Sequence, residues 1–214
     1  MSDSSVTLYA LRPLEKTDLP IVAGWFQDVD DLAAFDRLTR VPLGLDACER
    51  AWEGSLGNAP ASGRCWFKVE AETGNAVGIV GLEGISPVNR DAVIPLFVEK
   101  AARRTGIGIR AVALVLDLGF RQLGLNRITS YYRADNEKSR KLTTRLGFEV
   151  EGRMREAWFA DGRHFDMLAV GLLRNEWLTR REALARELDR KTIVTLGGGV
   201  ESPWAWPPRD ARPA

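Results

Sequence analysis

Short apolar stretches in the first half of the chain predict strands. Residues 6–11 alternate weakly between polar and apolar side chains and predict a first strand. Residues 65–71 and 76–82 predict a hairpin, because the loop 72–75 between them (Glu-Thr-Gly-Asn) has the composition of a turn. Residues 92–98 are strongly apolar and predict the strand that follows this hairpin.

Helices are predicted where a capping residue precedes apolar positions that recur on one face. They run from Thr17 or Asp18 to Gln27, from Asp46 through Trp52, over 106–123, from Asp135 or Asn136 to Gly147, and over 176–191. Further strands are predicted at 127–133, 148–152, 156–159 and 165–173. The mixture of a strand meander with alternating helices and strands predicts an α+β (mixed α/β) fold.

The domain organisation follows from length and from a change of composition near residue 192. Residues 1–191 predict a single domain, since 214 residues leave little room for two. Residues 192–214 are rich in Gly and Pro and predict an irregular tail. Trp204 and Trp206 are unusual in such a tail, and we expect them to dock onto the domain or onto a partner.

Composition predicts a soluble, cytoplasmic protein. Apolar residues make up 45% of the chain and charged residues 28%. No apolar run approaches the ~20 residues that span a bilayer, and residues 1–9 lack the pattern of a signal peptide. Cys48 and Cys65 are expected as reduced thiols, and with His164 as the one histidine no metal site is expected.

The net charge of +1 is unevenly distributed along the chain. Residues 1–99 contain 8 basic and 15 acidic side chains, whereas residues 100–191 contain 20 basic and 12 acidic ones. Two solvated faces of one domain would explain this difference. An anion site in the second half would explain it equally well.

Residues 103–108 (Arg-Arg-Thr-Gly-Ile-Gly) form the segment with the clearest chemical meaning. They follow an apolar strand and open a helix, where glycines allow a sharp turn and unpaired amides point outward. Such a helix start is suited to a pyrophosphate, although a tight turn alone would also use these glycines. The segment does not match the dinucleotide fingerprint, because Ala111 stands at the position of its third glycine and no βαβ unit precedes it. It is not a P-loop either, because no Gly-Lys-Ser/Thr follows.

The pattern Arg103-x-x-Gly106-x-Gly108 resembles the coenzyme A signature of the GNAT acetyltransferase superfamily. Asn136, Ser139 and the Leu146-Gly147-Phe148 end of the predicted helix resemble the block that follows in this superfamily. A third block, Glu151-Gly152 through Asp161-Gly162 to Trp177, resembles the branch that contains the ribosomal-protein N-terminal acetyltransferases. The resemblance implies the GNAT fold, with a central, mixed, mostly antiparallel sheet of six to seven strands flanked by helices.

The resemblance also implies a site for acetyl-CoA or another acyl-CoA as donor, without a metal. An amine would attack the thioester directly, and a backbone amide near Phe97 or Val98 would stabilise the oxyanion. Pro95 would mark the point where the strands splay near the thioester. The implied donor-binding residues are Phe97, Val98, Arg103, Arg104, Thr105, Gly106, Ile107, Gly108, Ile109 and Asn136.

The catalytic groups that the resemblance implies are less regular. The common family tyrosine falls at Thr143, and the serine used by the ribosomal branch is Ser139. The branch's glutamate base falls at Trp158, so Glu83 and Asp166 are the substitutes considered. Trp25, Phe26 and Trp158 are candidates for the acceptor pocket, although core packing would also explain them.

Three functions remain open on the sequence. The first is an N-acetyltransferase that acts on a peptide N-terminus or a small-molecule amine, as a monomer or a homodimer. The second is an acyltransferase of the same fold that uses aminoacyl-tRNA, which the basic second half would favour. The third is a non-catalytic acyl-CoA-binding or interaction module, which the missing tyrosine and glutamate would favour.

Overall fold

The computed structural model describes residues 6–58, 63–197 and 202–208, and these form six α-helices and ten strands. The strands are β1 (Thr7–Pro13), β2 (Cys65–Ala71), β3 (Ala76–Ser86), β4 (Asp91–Val93), β5 (Leu96–Val98), β6 (Arg127–Arg133), β7 (Glu149–Ala160), β8 (Arg163–Leu173), β9 (Thr192–Leu196) and β10 (Ala205–Trp206). The helices are α1 (Leu19–Trp25), α2 (Val29–Phe35), α3 (Leu45–Trp52), α4 (Ile107–Asp117), α5 (Glu137–Leu146) and α6 (Arg174–Glu187).

All ten strands belong to one mixed sheet, in the order β10-β9-β1-β2-β3-β4-β6-β8-β7, with β5 paired to β3. Among the strand pairs of the described residues, β1–β9 and β4–β6 are parallel and the others are antiparallel. The mostly antiparallel α/β architecture is therefore confirmed, but the expected number of six to seven strands is too low. The additional strands arise because 92–98 divides in two and because the C-terminal segment adds β9 and β10.

Pro95 separates β4 from β5 and sends them to different neighbours. Strand β4 pairs with β6, and this pairing continues in the hydrogen bond from the Ile94 N–H to the Thr129 carbonyl, 2.9 Å. Strand β5 pairs with β3 alone, in the register Ile79 opposite Phe97. The predicted continuous strand is therefore wrong, and the predicted splay at Pro95 is confirmed, because proline has no N–H for the sheet.

Most of the predicted elements form, with shifted ends. Strands β2 and β6 have the predicted bounds, and α5 lies between the predicted caps Asn136 and Gly147. The predicted strands 148–152 and 156–159 are one long strand, β7, whose register is interrupted where Glu156 has a positive φ of 53°. Helix α2 is absent from the predictions, although Asp28 caps it by accepting the Asp31 N–H.

The C-terminal segment is part of the sheet, which corrects the prediction of an irregular tail. Strand β9 runs parallel to β1, and β10 pairs with β9. Trp206 is fully buried and packs with Trp177, with their ring centroids 5.5 Å apart. The rest of the predicted tail, residues 198–201 and 209–214, lies outside the described residues.

A buried carboxylate, Asp117 at the end of α4, joins this segment to the domain. The indole N–H groups of Trp177 and Trp206 each donate to it at 3.0 Å. The guanidinium of Arg181 also donates to it, at 2.9 Å. Asp117 is only 2% exposed, so these donors replace the water that a carboxylate otherwise requires.

Two further features concern the chain's environment. Cys48 is buried, Cys65 is half-buried, and neither forms a disulfide. Among the helices in the described ranges, none combines the length and the apolar character needed to cross a membrane.

Replacing Trp206 with alanine should lower the free energy of unfolding by about 3–5 kcal/mol, because it removes a fully buried ring and one donor to Asp117. Urea denaturation followed by circular dichroism measures the change. Trp204→Ala is the matched control and should cost less, since Trp204 is only half-buried. Equal losses for the two variants would contradict the proposed anchoring at Asp117.

Candidate functional site

A cavity of about 540 Å³ lies where the sheet divides at Pro95. Its walls come from β4, β5 and β6, from α4 and α5, from the C-terminal end of β3, and from residues 34–38 at and after the end of α2. Met167 of β8 and Met154 and Trp158 of β7 close the remaining side. The opening exists because β5 follows β3 while β4 stays with β6, so the sheet is not continuous there.

The cavity brings together two of the predicted catalytic residues. Glu83, at the C-terminal half of β3, and Ser139, in the first turn of α5, both line it. The Trp66 indole N–H donates to Oε1 of Glu83 at 3.2 Å, which fixes the direction of the carboxylate. These residues are 56 positions apart in sequence, and only the divided sheet brings them to one cavity.

Helix α5 is positioned by local hydrogen bonds in its first turn. The side chain of Asn136 accepts the Ser139 N–H at 3.1 Å and so caps the helix. Asn136 therefore acts as a cap, and it is not among the residues that line the cavity. One turn later, the Thr143 hydroxyl lies 2.9 Å from the Ser139 carbonyl oxygen and 3.4 Å from the Tyr132 hydroxyl.

Tyr132 is a cavity residue that the sequence reasoning missed. It is 4% exposed, lies on β6, and presents its phenol to the same end of the cavity as Ser139 and Thr143. The position expected to carry the family's tyrosine holds Thr143. The tyrosine hydroxyl in this region comes instead from Tyr132, on the neighbouring strand β6. The signal in the sequence was a tyrosine at an inward-facing position of the predicted strand 127–133.

The loop before α4 has the backbone features of an anion site. Gly106 is in the left-handed region with φ +82°, and no side chain caps the helix that begins at Ile107. The N–H groups of the first turn, at Ile107, Gly108 and Ile109, therefore point out of the helix with the positive end of its dipole. A Cβ at Gly108 would be 3.4 Å from a methyl group of Leu96, which shows how closely the loop approaches β5.

The strand β5 directs alternate amides to opposite sides. Hydrogen bonds from Gly81 N–H to the Pro95 carbonyl and from Glu99 N–H to the Val77 carbonyl flank the pair Ile79–Phe97. Because antiparallel pairs alternate, the Phe97 amide belongs to the β3 ladder and the Val98 amide points away from β3. Of the two residues predicted to supply an amide to the site, Val98 is the one whose N–H is directed away from the sheet partner.

Two predicted donor-binding side chains hold the loop itself. Arg103 donates to the Val98 carbonyl and to Asp31, both at 2.8 Å, and lies over the ring of Phe97. The Thr105 hydroxyl donates to the Ala102 carbonyl at 2.8 Å. Arg104 is exposed and has a positive φ of 69°, so its side chain is directed differently from that of Arg103.

The C-terminal segment contacts this loop from the other side. The Thr192 hydroxyl donates to the Thr105 carbonyl at 3.3 Å. Arg110, which is 2% exposed, donates to the Gly106 carbonyl at 3.1 Å and to the Asp189 carbonyl at 2.6 Å. The loop conformation therefore depends on residues more than eighty positions away, which sequence reasoning did not include.

Three of the predicted catalytic and acceptor residues lie away from the cavity lining. Asp166 forms an ion pair with Arg153 at 2.5 Å and accepts the Glu156 N–H at 2.9 Å. Trp25 donates its indole N–H to Glu99, and Phe26 is a buried core residue 4.9 Å from the ring of Phe97. The aromatic pair Trp25 and Phe26 thus packs behind β5, as core packing requires.

Trp158 does line the cavity, as predicted for an acceptor residue. It is 3% exposed, and its indole N–H donates to the Ala33 carbonyl at 2.9 Å, so β7 is fixed against α2. The adjoining core cluster contains Ala33, Ala160 and Met167. Trp158 is therefore a rigid wall residue.

Within the parts of the chain that the structure describes, no group of three or more His, Cys, Asp or Glu side chains is arranged to hold a metal ion. The chemical groups that line the cavity include the carboxylate of Glu83 and the hydroxyls of Ser139, Thr143 and Tyr132. The Val98 amide, directed away from β3, and the first amides of α4 lie outside this lining. Such a set can bind an anionic donor at the start of α4 and transfer a proton beside it.

Comparison with known proteins agrees with this arrangement. Residues 9–149 match the acetyltransferase (GNAT) domain. A Bacillus subtilis (strain 168) protein, provisionally named the ribosomal N-acetyltransferase YdaF, is 34% identical over 104 residues, or 49% of this chain and 57% of that protein. The spermidine N(1)-acetyltransferase of Escherichia coli (strain K12) is 27% identical over 126 residues, or 59% of this chain and 67% of that enzyme. The chain thus spans little more than half the length of the first of these relatives.

A solved structure shows the same fold. The crystal structure of spermidine N-acetyltransferase from Vibrio cholerae in complex with CoA and spermine superposes with a TM-score of 0.71 at 23% identity. The superposition covers 79% of this chain and 98% of that chain. About a fifth of the present chain therefore has no counterpart in that structure.

The contacts of Asp166 predict how its carboxyl titrates. The Glu156 N–H and, to a smaller extent, the Arg153 guanidinium stabilise the carboxylate and lower the pKa of Asp166 below its ordinary value. Their contribution to stability is present above the ordinary pKa of an aspartate and is lost as the pH falls through the lowered value. In Arg153→Ala, the pKa should rise but remain below the ordinary value, because the amide is retained.

A carbon-detected NMR titration of the Asp166 carboxyl measures this pKa. Arg155→Ala serves as the control, since the charge of Arg155 is the weakest of the named influences and its removal should change the pKa less. An Asp166 pKa that is unaffected by removal of Arg153 would contradict the assignment.

Proposed function

Because the chain belongs to the GNAT acetyltransferase family, we propose that it transfers an acetyl or related acyl group from acyl-coenzyme A to a primary amine. One observation carries the proposal. The uncapped start of α4 lies against β5 at the division of the sheet, and the cavity with Glu83 and Ser139 opens at the same division. A donor could therefore place its phosphates at the helix start and its thioester in the cavity.

The residues at the start of α4 fit a pyrophosphate. Gly106 adopts a conformation that a side chain would strain, and Gly108 leaves the backbone accessible beside β5. The N–H groups of Ile107, Gly108 and Ile109 would bind the phosphate oxygens. Arg104 supplies an exposed positive charge next to them, whereas Arg103 and Thr105 hold the loop in shape.

The proposed reaction is a direct transfer. The amine nitrogen attacks the carbonyl carbon of the thioester, a C–N bond forms, the C–S bond breaks, and the sulfur leaves as a thiolate that takes up a proton. The Val98 amide supports the carbonyl oxygen as negative charge develops on it. Holding both reactants in one cavity supplies several kcal/mol of the barrier.

Two side chains of the cavity would manage the protons. The ammonium group must lose one proton before it can attack, and the nitrogen loses a second proton after the attack. The Glu83 carboxylate, oriented by Trp66, would accept one of these protons, directly or through water. The Ser139 hydroxyl would position the leaving sulfur and relay a proton to it, with the hydroxyls of Thr143 and Tyr132 lining the same end. Asp166 takes no part, because its carboxylate is bound to Arg153 and Glu156 outside the cavity.

The acceptor class and the location of the protein are further parts of the proposal. The relatives named above include spermidine acetyltransferases, which supports an amine acceptor, either a small molecule or a peptide N-terminus.

The two free cysteines support a cytoplasmic location, since disulfides are rare there. The choice between monomer and homodimer stays a prediction.

Gly108→Asp and Gly106→Asp should each weaken the binding of acetyl-CoA and of free coenzyme A by about a hundredfold or more, which corresponds to about 2.8 kcal/mol. The new carboxylate would repel the phosphates and cover the amides. An aspartate in the first turn favours the helix, so Gly108→Asp should remain folded. Isothermal titration calorimetry measures the affinity, and circular dichroism verifies the fold.

The matched control for these variants is Gly74→Asp, because Gly74 has φ +83° in the hairpin loop and no atom within 4 Å of the added Cβ. It should leave the affinity for coenzyme A unchanged. Unchanged affinity in both loop variants would reject the anion site, and absence of binding by the unaltered protein would reject the proposed donor.

Glu83→Gln should lower kcat by about a hundredfold or more while acetyl-CoA still binds, because an amide accepts the Trp66 N–H but cannot act as a base. Asp166→Asn is the matched control and should retain kcat. Equal losses of kcat in the two variants would show that Glu83 is not the base.

A further inference from the structure

The acceptor side of the cavity is bounded by an apolar wall. The wall consists of Phe35, Leu38, Tyr131, Met154, Trp158 and Met167, which come from the end of α2 and the loop after it and from β6, β7 and β8. Leu38, Tyr131 and Met154 are exposed, with 85%, 44% and 39% of their surface accessible, so the wall continues to the mouth of the cavity.

Several contacts within the protein hold parts of the wall in place. Trp158 is held by its hydrogen bond to the Ala33 carbonyl, and Met167 and Ala160 pack beside it in one core cluster. Arg40 donates to the Phe159 carbonyl at 2.8 Å and to the Thr39 carbonyl at 2.8 Å, which fixes the loop after α2 against β7. A preformed apolar surface binds an apolar group with little loss of conformational entropy.

Among the described residues that line this cavity, the charged ones are Asp36, Arg37 and Glu83. The Asp36 carboxylate accepts the Leu38 N–H at 2.7 Å and is thereby part of the loop structure. Arg37 is exposed beside it, so the cavity presents one cation and two carboxylates near the wall.

We propose, on the basis of the proposed acyltransfer, that the acceptor carries a single amino group on an apolar body about the size of an aromatic ring. Glu83 would receive the amine, and the wall would cover the body. A polyamine would have to place further ammonium groups against Leu38, Met154 and Trp158, where they lose water. The second carboxylate near the wall, that of Asp36, already accepts the Leu38 N–H and has the Arg37 cation beside it, so it offers such a group little compensation. The acceptor that we propose therefore differs from spermidine, for which the spermidine acetyltransferases are named.

This chemistry can belong either to a free amine or to the first residue of a peptide. Initial rates with saturating acetyl-CoA, followed by release of the free thiol, should be compared for 2-phenylethylamine, the peptide Phe-Gly-Gly, glycylglycine and spermidine. At least one of the two phenyl compounds should exceed spermidine in kcat/KM by about tenfold or more. Of the two phenyl compounds, the one with the higher kcat/KM shows whether the acceptor is a free amine or the first residue of a peptide.

The wall is tested by Met154→Glu, which adds a carboxylate at a partly exposed position of the wall. It should lower kcat/KM for the phenyl substrate by about tenfold, mainly through KM, and raise the rate with spermidine relative to it. Val88→Glu adds the same charge at an 88% exposed position outside the cavity lining and should change neither rate. Thermal unfolding confirms that each variant is folded.

The outcomes are distinguishable. Preference for spermidine, or equal loss in Met154→Glu and Val88→Glu, would overturn this inference and leave the proposed acyltransfer intact. Binding of acetyl-CoA without turnover of any amine would overturn the proposed function and this inference with it. Preference for glycylglycine over its phenylalanine counterpart would show that the wall does not select the acceptor.

Discussion

Pro95 cannot donate a backbone hydrogen bond, and the strand that contains it divides between two neighbours. Strand β4 remains with β6, while β5 follows β3. The cavity occupies the resulting opening, and Pro95 and Leu96 line it. The amide of Val98 turns away from β3. A regular central strand would have filled this opening with ladder hydrogen bonds. The loss of a few backbone hydrogen bonds is thus the physical condition for having a site within the sheet.

The loop before α4 is stabilised by contacts with two distant parts of the chain. Arg103 connects it to α2 through Asp31, and Arg110 and Thr105 connect it to the segment around Asp189 and Thr192. The same C-terminal segment is anchored in the core through the contact of Trp206 with Asp117. The side chains near the proposed phosphate site therefore serve mainly to hold a backbone conformation, and the backbone itself provides the binding groups.

The parts of the structure that could be predicted are those determined by neighbouring residues. Helix α5 lies between Asn136 and Gly147 because both caps act within one turn. Glu83 and Ser139 were predicted separately, both line the cavity, and their catalytic roles stay predictions. The burial of Trp206 could not be predicted, because its partner Asp117 is 89 positions away. The ion pair of Asp166 with Arg153 could not be predicted for a related reason, since an acidic residue in a strand does not reveal which cation will lie beside it.

At the two edges of the sheet, a strand has backbone N–H and C=O groups without a partner strand. At one edge, β10 has only two residues, and at the other, β7 is interrupted in register and carries Glu156 with a positive φ. A second sheet needs a run of consecutive free N–H and C=O groups in order to add on. Neither edge supplies a long, regular run, so the ten-stranded sheet resists open-ended stacking of one molecule onto the next, and with it a route to aggregation.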